Sequence, residues 1–278
     1  MASKLDLSPE TLLRWYLEAG VDEAILENPV NRYRRAEPTG LDPAVAAKET
    51  SPPEGRPEGS AGSKARSPAA TVPGVPVPPV ESAVEAAQRA SSIEELRATL
   101  ASFEQCPLKN TATNLVFGDG CTSARIIFIG EAPGAEEDRR GIPFVGPSGR
   151  LLDRMLESIQ LDRNKAFISN TIFWRPPGNR SPTSSEVATC MPFVERIIEL
   201  IDPRILVALG GPAASALLGQ AESVGRLRGR WFTYQTPRLP RPIPTTAIFH
   251  PAYLLRSPAQ KQLAWRDLLA IKAKLSEH

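Results

Sequence analysis

The sequence is poor in the side chains that build metal sites and disulfide frameworks. Its 278 residues include only three cysteines, at wide spacing, and two histidines, one of which is the last residue. An odd number of distant cysteines argues against a disulfide framework, and two histidines are too few for most zinc sites. We therefore expect inert thiols and no zinc.

Long apolar runs and a strong net charge are also missing. No run approaches the ~20 residues of a membrane-spanning helix, and the N-terminus lacks the apolar core of a signal peptide. The formal net charge is +2, although residues 221–278 carry ten Lys or Arg against three Asp or Glu. A basic segment suits a polyanionic partner, but a solvated helix face is its commoner explanation. We expect a cytoplasmic protein without membrane contact.

The first 80 residues differ in composition from the rest of the chain. Residues 1–30 contain a short apolar helix pattern, which starts at Ser8 and Pro9 and ends at Gly20. Residues 31–80 are rich in Pro, Gly, Ala and Ser, and such a segment buries too little apolar surface to offset its chain entropy. We therefore predict a short helix within residues 1–30, joined to the rest of the chain by a disordered linker over residues 31–80. The helix either docks on another protein or folds back on its own domain.

Residues 81–278 alternate between strand and helix patterns, which predicts the fold class. The four apolar runs expected to form strands are "RIIFIG", "AFISNTI", "RILVALG" and "TTAIFH". Strands that alternate with helices form mostly parallel sheets covered on both faces. We therefore predict a three-layer α/β/α sandwich around a mostly parallel four-stranded sheet.

Polar residues follow the predicted strands. Glu131 follows the first strand, Asn170 lies near the end of the second, and His250 ends the fourth. Ligands bind beyond the carboxyl ends of strands in open α/β sheets. A carboxamide matches the N3–H and O4 edge of uracil, and Phe144 either offers a flat face for stacking or is a core residue under its loop. Their joint placement predicts a site for a planar polar ring.

Three longer segments resemble the family 4 uracil-DNA glycosylases: "GEAPGAEEDRRGIPFVGPSGRLLDRML", "SNTIFWRPPGNRSPT" and "HPAYLLRSPAQKQLAWRDL". The segment "CPLKNTATNLVFGDG", which precedes them, is also similar to the family. The resemblance as a whole covers about residues 86–275. It implies a monofunctional, monomeric, nucleoid-associated enzyme of base-excision repair. Such an enzyme flips uracil out of single- or double-stranded DNA and hydrolyses its N-glycosidic bond, which leaves an abasic site.

The resemblance implies catalytic roles for three residues. Glu131 would position the attacking water with Asn179 in support, and His250 would donate a hydrogen bond to uracil O2 as the base departs. Ala132 stands where the best-known uracil-DNA glycosylases have a catalytic aspartate. Most of the catalysis is therefore expected from electrostatic stabilisation of the leaving uracil anion.

The resemblance also implies binding residues. Glu137 would line the uracil pocket together with Ala132, Phe144 would stack on the flipped base, and Asn170 would bind its polar edge. Leu254 and Leu255 would wedge into the vacated base stack, unless they begin the core face of the last helix. Phosphate contacts are expected from Arg228, Arg230 and Arg256.

The resemblance breaks at the iron–sulfur cluster, which family 4 enzymes usually carry on four cysteines. Cys106 and Cys190 match two of the cluster positions, whereas Phe103 and Trp174 occupy the other two. Two thiolates cannot hold a cluster that needs four ligands. We therefore predict no cofactor and no metal, with the two aromatic side chains filling the volume. A degraded cluster with an atypical ligand is the alternative.

Two other functions compete with uracil excision. A pocket of the same residues could accept other deaminated bases, such as hypoxanthine or xanthine, because pocket shape sets this tolerance. The protein could also be a non-catalytic module that senses uracil or abasic sites in DNA. A covalently trapping relative carries a basic, histidine-containing insertion near the second motif, and "RPPGNRSPT" has none.

Overall fold

A computed structural model describes residues 79–277 of the chain. The helix predicted in residues 1–30 lies outside this range, as does the linker predicted over 31–80 apart from its last two positions. The first helix, α1 (Pro79–Arg89), begins two residues before the predicted domain boundary. Among the described helices, none has the length and apolar character that crossing a bilayer requires.

A six-stranded sheet forms the middle layer. Its strands are β1 (Asp119–Gly120), β2 (Ile126–Gly130), β3 (Ala166–Asn170), β4 (Ile205–Leu209), β5 (Trp231–Tyr234) and β6 (Ile243–Ile248). They lie in the order β1-β3-β2-β4-β6-β5, with the four central strands parallel and the two edge strands antiparallel. The four predicted strands are present. The two edge strands were missed because β1 has only two residues and β5 is short and mostly exposed.

Helices cover both faces of the sheet. Besides α1 they are α2 (Ile93–Ser102), α3 (Ala135–Arg140), α4 (Pro147–Ser158), α5 (Ser184–Ile201), α6 (Gly211–Leu218), α7 (Val224–Leu227), α8 (Pro251–Arg256) and α9 (Lys261–Ser276). The helical segment at the start of the domain is divided into two helices, α1 and α2. The chain breaks there because the Ser92 side chain caps α2 by accepting a hydrogen bond from the Glu95 backbone N–H at 3.1 Å.

Two hydrophobic clusters fill the space between the sheet and its helices. Along β2, Ile127 and Ile129 belong to one cluster with residues of α1, α2, α5 and α6. Ile126 and Phe128 belong to the other, with residues of α4, α8 and α9. Successive side chains of a strand point to opposite faces, so each central strand contributes to both clusters. The predicted three-layer α/β/α architecture is confirmed.

A capping box with an ion pair starts α5. The Thr183 hydroxyl accepts from the Glu186 backbone N–H at 3.2 Å, and the Glu186 carboxylate accepts from the Thr183 N–H at 2.8 Å. Arg180 donates two further hydrogen bonds to this carboxylate, at 2.9 and 2.6 Å. The Arg180 hydrogen bond is the largest cause that lowers the pKa of Glu186, to about 2. The pair therefore fixes the loop ahead of α5.

We expect Glu186→Gln to remove a pH-dependent part of the stability. A carboxyl whose pKa is lower in the folded state stabilises the fold above its unfolded pKa, about 4.5, and loses this contribution as the pH falls toward about 2. Urea unfolding should show the variant destabilised on the order of 2 kcal/mol at pH 7 and by less than half of that at pH 3. The exposed Glu157→Gln is the control. A difference that does not change with pH would contradict this assignment.

Candidate functional site

The carboxyl ends of the parallel strands open into one cavity of about 520 Å³. Five of the predicted site residues line it: Glu131, Ala132, Asn179, His250 and Arg256. The remaining walls are the Gly210–Gly211–Pro212 turn after β4, the loop that leads into α5, and Tyr253 of α8. The structure therefore joins residues that follow three different strands.

Phe144 and Asn170 meet at the end of β2, on either side of Gly130. A Cβ atom built on Gly130 would lie 2.4 Å from Asn170 Oδ1 and 2.6 Å from Cζ of Phe144, so that no larger residue fits. The centre of the Phe144 ring is 5.6 Å from that of His250, with the planes tilted by 33°. The carboxamide, the aromatic ring and the imidazole are thus brought together.

Asn170 presents a free acceptor in this buried corner. Asn170 is 1% exposed, and its Oδ1 atom has no hydrogen-bond partner in the structure. An unsatisfied buried polar atom costs about 1–3 kcal/mol, and in native proteins it calls for an explanation. A ligand that offers an N–H group at this point would satisfy the atom.

Glu137 holds the loop that carries Phe144. Its carboxylate accepts hydrogen bonds from the backbone N–H groups of Gly134 at 3.2 Å, Val145 at 2.9 Å and Gly146 at 2.8 Å. Both oxygens bind the loop backbone, and Glu137 is not among the residues that line the cavity, so its contact with uracil stays a prediction. It shapes the pocket by fixing the position of Phe144.

Arg163 braces the same loop from the other side. It donates hydrogen bonds to the carbonyl oxygens of Pro143, at 3.0 Å, and Phe144, and to the carboxylates of Asp119 and Asp153. Phe144 itself has a φ of 54°, a left-handed backbone conformation that is costly for an aromatic residue. Such strain persists only where surrounding contacts enforce it, and Glu137 and Arg163 supply these contacts.

Glu131 is half-buried at the cavity wall. Burial raises the pKa of its carboxyl group, and a hydrogen bond with Ser181 partly opposes that shift. Asn179 lines the same cavity, and its Oδ1 accepts from Arg175 Nε at 2.7 Å; its support of Glu131 stays a prediction. Sequence reasoning missed Ser181, and the only available signal was its position in the same loop.

His250 is a neutral hydrogen-bond donor. Its Nδ1 accepts from the Ala252 backbone N–H at 3.1 Å and caps α8, so the proton of the neutral ring is on Nε2. Burial, followed by the positive charge of Arg256, lowers the pKa of His250 to about 4, although Glu137 opposes this. At neutral pH the side chain therefore presents an uncharged Nε2–H group.

Comparison with known proteins agrees with this geometry. Residues 117–269 match the model of the uracil DNA glycosylase superfamily. The type-4 uracil-DNA glycosylase of Archaeoglobus fulgidus is 38% identical over 175 residues, which cover 62% of this chain and 87% of that protein. The type-4 enzyme of Thermotoga maritima is 42% identical over 153 residues, 55% of this chain and 77% of that protein. The chain belongs to the type-4 uracil-DNA glycosylases. The predicted resemblance is confirmed.

The two leucines that the family resemblance singled out lie on different sides of α8. Leu254 is 1% exposed and packs in the core with residues of α4 and α9, so its predicted role as a wedge is wrong. Leu255 is 43% exposed, and the next residue, Arg256, is also exposed and lines the cavity. Only the second leucine is available to a partner of this glycosylase domain.

Two of the predicted phosphate-binding arginines are engaged within the protein. Arg228 donates to both carboxylate oxygens of Asp267, at 2.8 and 2.7 Å, and its predicted DNA contact is corrected for this reason. The guanidinium group of Arg230 lies 5.0 Å from the centre of the Phe232 ring. It also forms an ion pair with Glu222, with 3.3 Å between Nη1 and Oε2. Neither of them lines the cavity.

The four positions that correspond to the family's cluster ligands converge in the core. The Sγ atoms of Cys106 and Cys190 are 4.0 Å apart. Phe103 packs edge-on against Phe193 at 5.1 Å, and Trp174 is 2% exposed. Within residues 79–277, no three His, Cys, Asp or Glu side chains are grouped so that they could hold a metal. Two thiols and two aromatic rings do not fit a cluster that needs four ligands.

Proposed function

We infer that the protein removes uracil from DNA by hydrolysing the N-glycosidic bond, which leaves an abasic site for base-excision repair. Membership of the type-4 uracil-DNA glycosylases supports this function. The observation that carries the inference is the buried, unpaired Oδ1 atom of Asn170. It lies beside the Phe144 ring, which in turn contacts His250. A carboxamide acceptor, an aromatic ring and a neutral donor match a flat ring with N–H and C=O groups.

Base recognition would rest on Asn170 and Phe144. Uracil N3–H would donate to Oδ1 of Asn170, and the amide nitrogen would donate to O4. Cytosine has an acceptor at N3. The Asn170 Oδ1 atom would then have no donor and would face a second acceptor, so cytosine would bind poorly. Phe144, fixed by its braced loop, would stack on the base, an interaction that every base can make. The carboxamide therefore sets the specificity and the ring adds affinity.

Bond cleavage would rest on His250. As the glycosidic bond breaks, negative charge develops on uracil O2, and the Nε2–H group would donate a hydrogen bond to it. The imidazole needs no proton transfer for this role, because a preorganised donor in a dry pocket stabilises the charge. Cleavage then depends on departure of the uracil anion more than on attack by a strong nucleophile.

The attacking water would be held by Glu131. Glu131 and Ser181 line the cavity together, and Ala132 offers no second carboxylate beside them. An oxocarbenium-like sugar needs little activation of the water, so an oriented carboxylate is sufficient. Glu131 is accordingly proposed as the residue that orients the water and balances the positive charge of the sugar.

Contact with DNA would come from the end of α8. The exposed Leu255 would enter the stack that the flipped nucleotide leaves, and Arg256 would contact a phosphate. Flipping costs a few kcal/mol and least for a mispaired or single-stranded base. The reaction requires no protein partner. A monomeric state, a cytoplasmic location with the nucleoid and docking of a partner on residues 1–30 stay predictions.

Asn170→Asp tests the carboxamide. A carboxylate would oppose uracil O4 with a negative oxygen where the amide donates, and we expect the single-turnover rate of uracil release to fall ~10²-fold or more. Cytosine release should rise relative to uracil release, because the cytosine amine can donate to the new oxygen. Release of each free base from single-stranded oligonucleotides is the measurement. Asn164→Asp, at an exposed position, is the matched control. Unchanged uracil selectivity would refute this role.

His250→Ala tests the leaving-group donor. Loss of one preorganised donor typically costs ~10²-fold or more in rate, and we expect this loss with little change in DNA affinity. Since the pKa of His250 is about 4, the wild-type rate should show no imidazole titration between about pH 6 and 8. The other histidine of the chain, changed in His278→Ala, serves as the control. An inflection near pH 6.5 that vanishes in His250→Ala would overturn the neutral-donor role.

We also propose that the protein works without an iron–sulfur cluster. Phe103 and Trp174 occupy two of the four ligand positions and are buried among other apolar side chains. Protein purified without oxygen should contain less than a tenth of an iron atom per chain and should lack the broad visible absorption of a cluster. Stoichiometric iron with such a band would reject the proposal.

A further inference from the structure

The thiols of Cys106 and Cys190 form a buried pair that the proposed reaction does not use. Their sulfur atoms are 4.0 Å apart, although the residues are 84 positions apart in the sequence. Both residues are at most 1% exposed. We propose that Cys106 and Cys190 form a peroxide-oxidisable pair whose disulfide ties the segment after α2 to the middle of α5.

The geometry of the two segments allows the bond to close. A disulfide needs its sulfurs about 2.05 Å apart, so the pair must approach by about 2 Å. Cys190 lies inside α5 and is held by helical hydrogen bonds, whereas Cys106 lies between α2 and a short 3₁₀ turn at Pro107–Asn110. Side-chain rotation together with a small shift of this irregular segment can supply the approach, because Cys106 is held there by a single turn hydrogen bond from the Lys109 N–H to its carbonyl, at 3.1 Å, and not by a continuous helix.

The pair also has an attacking and a resolving member. The two sulfurs lie within S–H···S hydrogen-bond distance, and either of them can be the donor. The same contact, together with burial, raises the pKa of Cys190. Cys106 is assigned as the sulfur that attacks first, because its chain neighbours Gln105 and Pro107 are exposed, whereas Cys190 lies inside α5. The third cysteine, Cys121, lies beside Ser123 at 3.3 Å and is separate from the pair.

The oxidation balances with hydrogen peroxide as the co-reactant. The Cys106 thiolate attacks one peroxide oxygen, an S–O bond forms, the O–O bond breaks and the departing hydroxide is protonated to water. The sulfur of Cys190 then attacks the Cys106 sulfenic acid. An S–S bond forms, the S–O bond breaks and the second oxygen leaves as water with the Cys190 proton. Two thiols are oxidised and one peroxide is reduced to two waters.

Burial selects the kind of oxidant. Both sulfurs lie beneath the surface, but the chain neighbours of Cys106, Gln105 and Pro107, are exposed. A molecule the size of peroxide can reach Cys106 after a small local opening, whereas a bulky disulfide such as oxidised glutathione cannot approach it in line. We therefore expect peroxide to oxidise the folded protein and oxidised glutathione to act far more slowly.

The disulfide would restore a cross-link where the family has its cluster. Cys190 contacts the backbone of Phe173, next to Trp174, at the start of the loop whose residues Asn179 and Ser181 line the cavity. A bond between two segments 84 positions apart restricts the unfolded chain strongly. The oxidised protein should therefore melt at a temperature roughly 5–15 °C higher than the reduced protein.

Thiol counting and peptide mapping on the full chain test this proposal. After peroxide treatment and removal of excess oxidant, denatured wild-type protein should show one free thiol in place of three, and digestion should yield a Cys106–Cys190 linked peptide. The rise in melting temperature should be reversed by a dithiol reductant. Cys121→Ser should keep both the linked peptide and the reversible shift, and Cys190→Ser should lose both.

Three outcomes would overturn the proposal. The first is three free thiols after peroxide treatment that fully oxidises a small dithiol in parallel. The second is oxidation confined to Cys121, as an intermolecular disulfide or a sulfinic acid. The third is a stoichiometric metal on the purified protein that blocks both buried thiols. Because none of these assays measures base release, the outcome is independent of whether the protein excises uracil.

Discussion

The site depends on the close approach of two side chains to Gly130, a residue that has no side chain of its own. Gly130 ends β2 between the Asn170 carboxamide and the Phe144 ring, and a Cβ atom there would lie under 3 Å from both. Parallel pairing of β2 with β3 places Gly130 directly opposite Asn170. The sheet register therefore decides the distance between the base-binding acceptor and the stacking ring, and any larger residue at Gly130 would separate them.

Hydrogen bonds from Glu137 and Arg163 hold the loop around Phe144 in place. Glu137 binds three backbone N–H groups of the loop around Phe144, and Arg163 binds two of its carbonyl oxygens. The strained backbone of Phe144 follows from these contacts. In a preorganised pocket the polar groups are already in position when the ligand binds. Little free energy is then spent on ordering them, so that they stabilise charge effectively. The unpaired Asn170 acceptor is then held in place for an incoming N–H.

The positions at which the family usually carries its cluster lie in a buried aromatic region next to the loop that lines the cavity. Phe103 and Trp174 stand at two positions where the family usually has cysteines, and both are buried with Phe193 and Phe173. Burial of these aromatic side chains packs the end of α2, α5 and the start of the cavity loop against one another. The two retained thiols lie within this packing and gain a different chemistry, because a pair can form a disulfide where four ligands would hold a cluster.

Local patterns in the sequence determined the order of the elements, the four parallel strands, the position of the site beyond their ends and the identity of its main residues. These features depend on apolar periodicity and on motifs within short segments, so one segment at a time is enough to recognise them. The tertiary structure alone decided that Leu254 is buried and Leu255 is not, that Arg228 pairs with Asp267, and that Ser181 lines the cavity with Glu131. It also decided that Glu137 binds the loop around Phe144 and that the Oδ1 atom of Asn170 has no hydrogen-bond partner. Each of these depends on which distant side chains come within hydrogen-bond distance, and packing of the whole domain sets those distances.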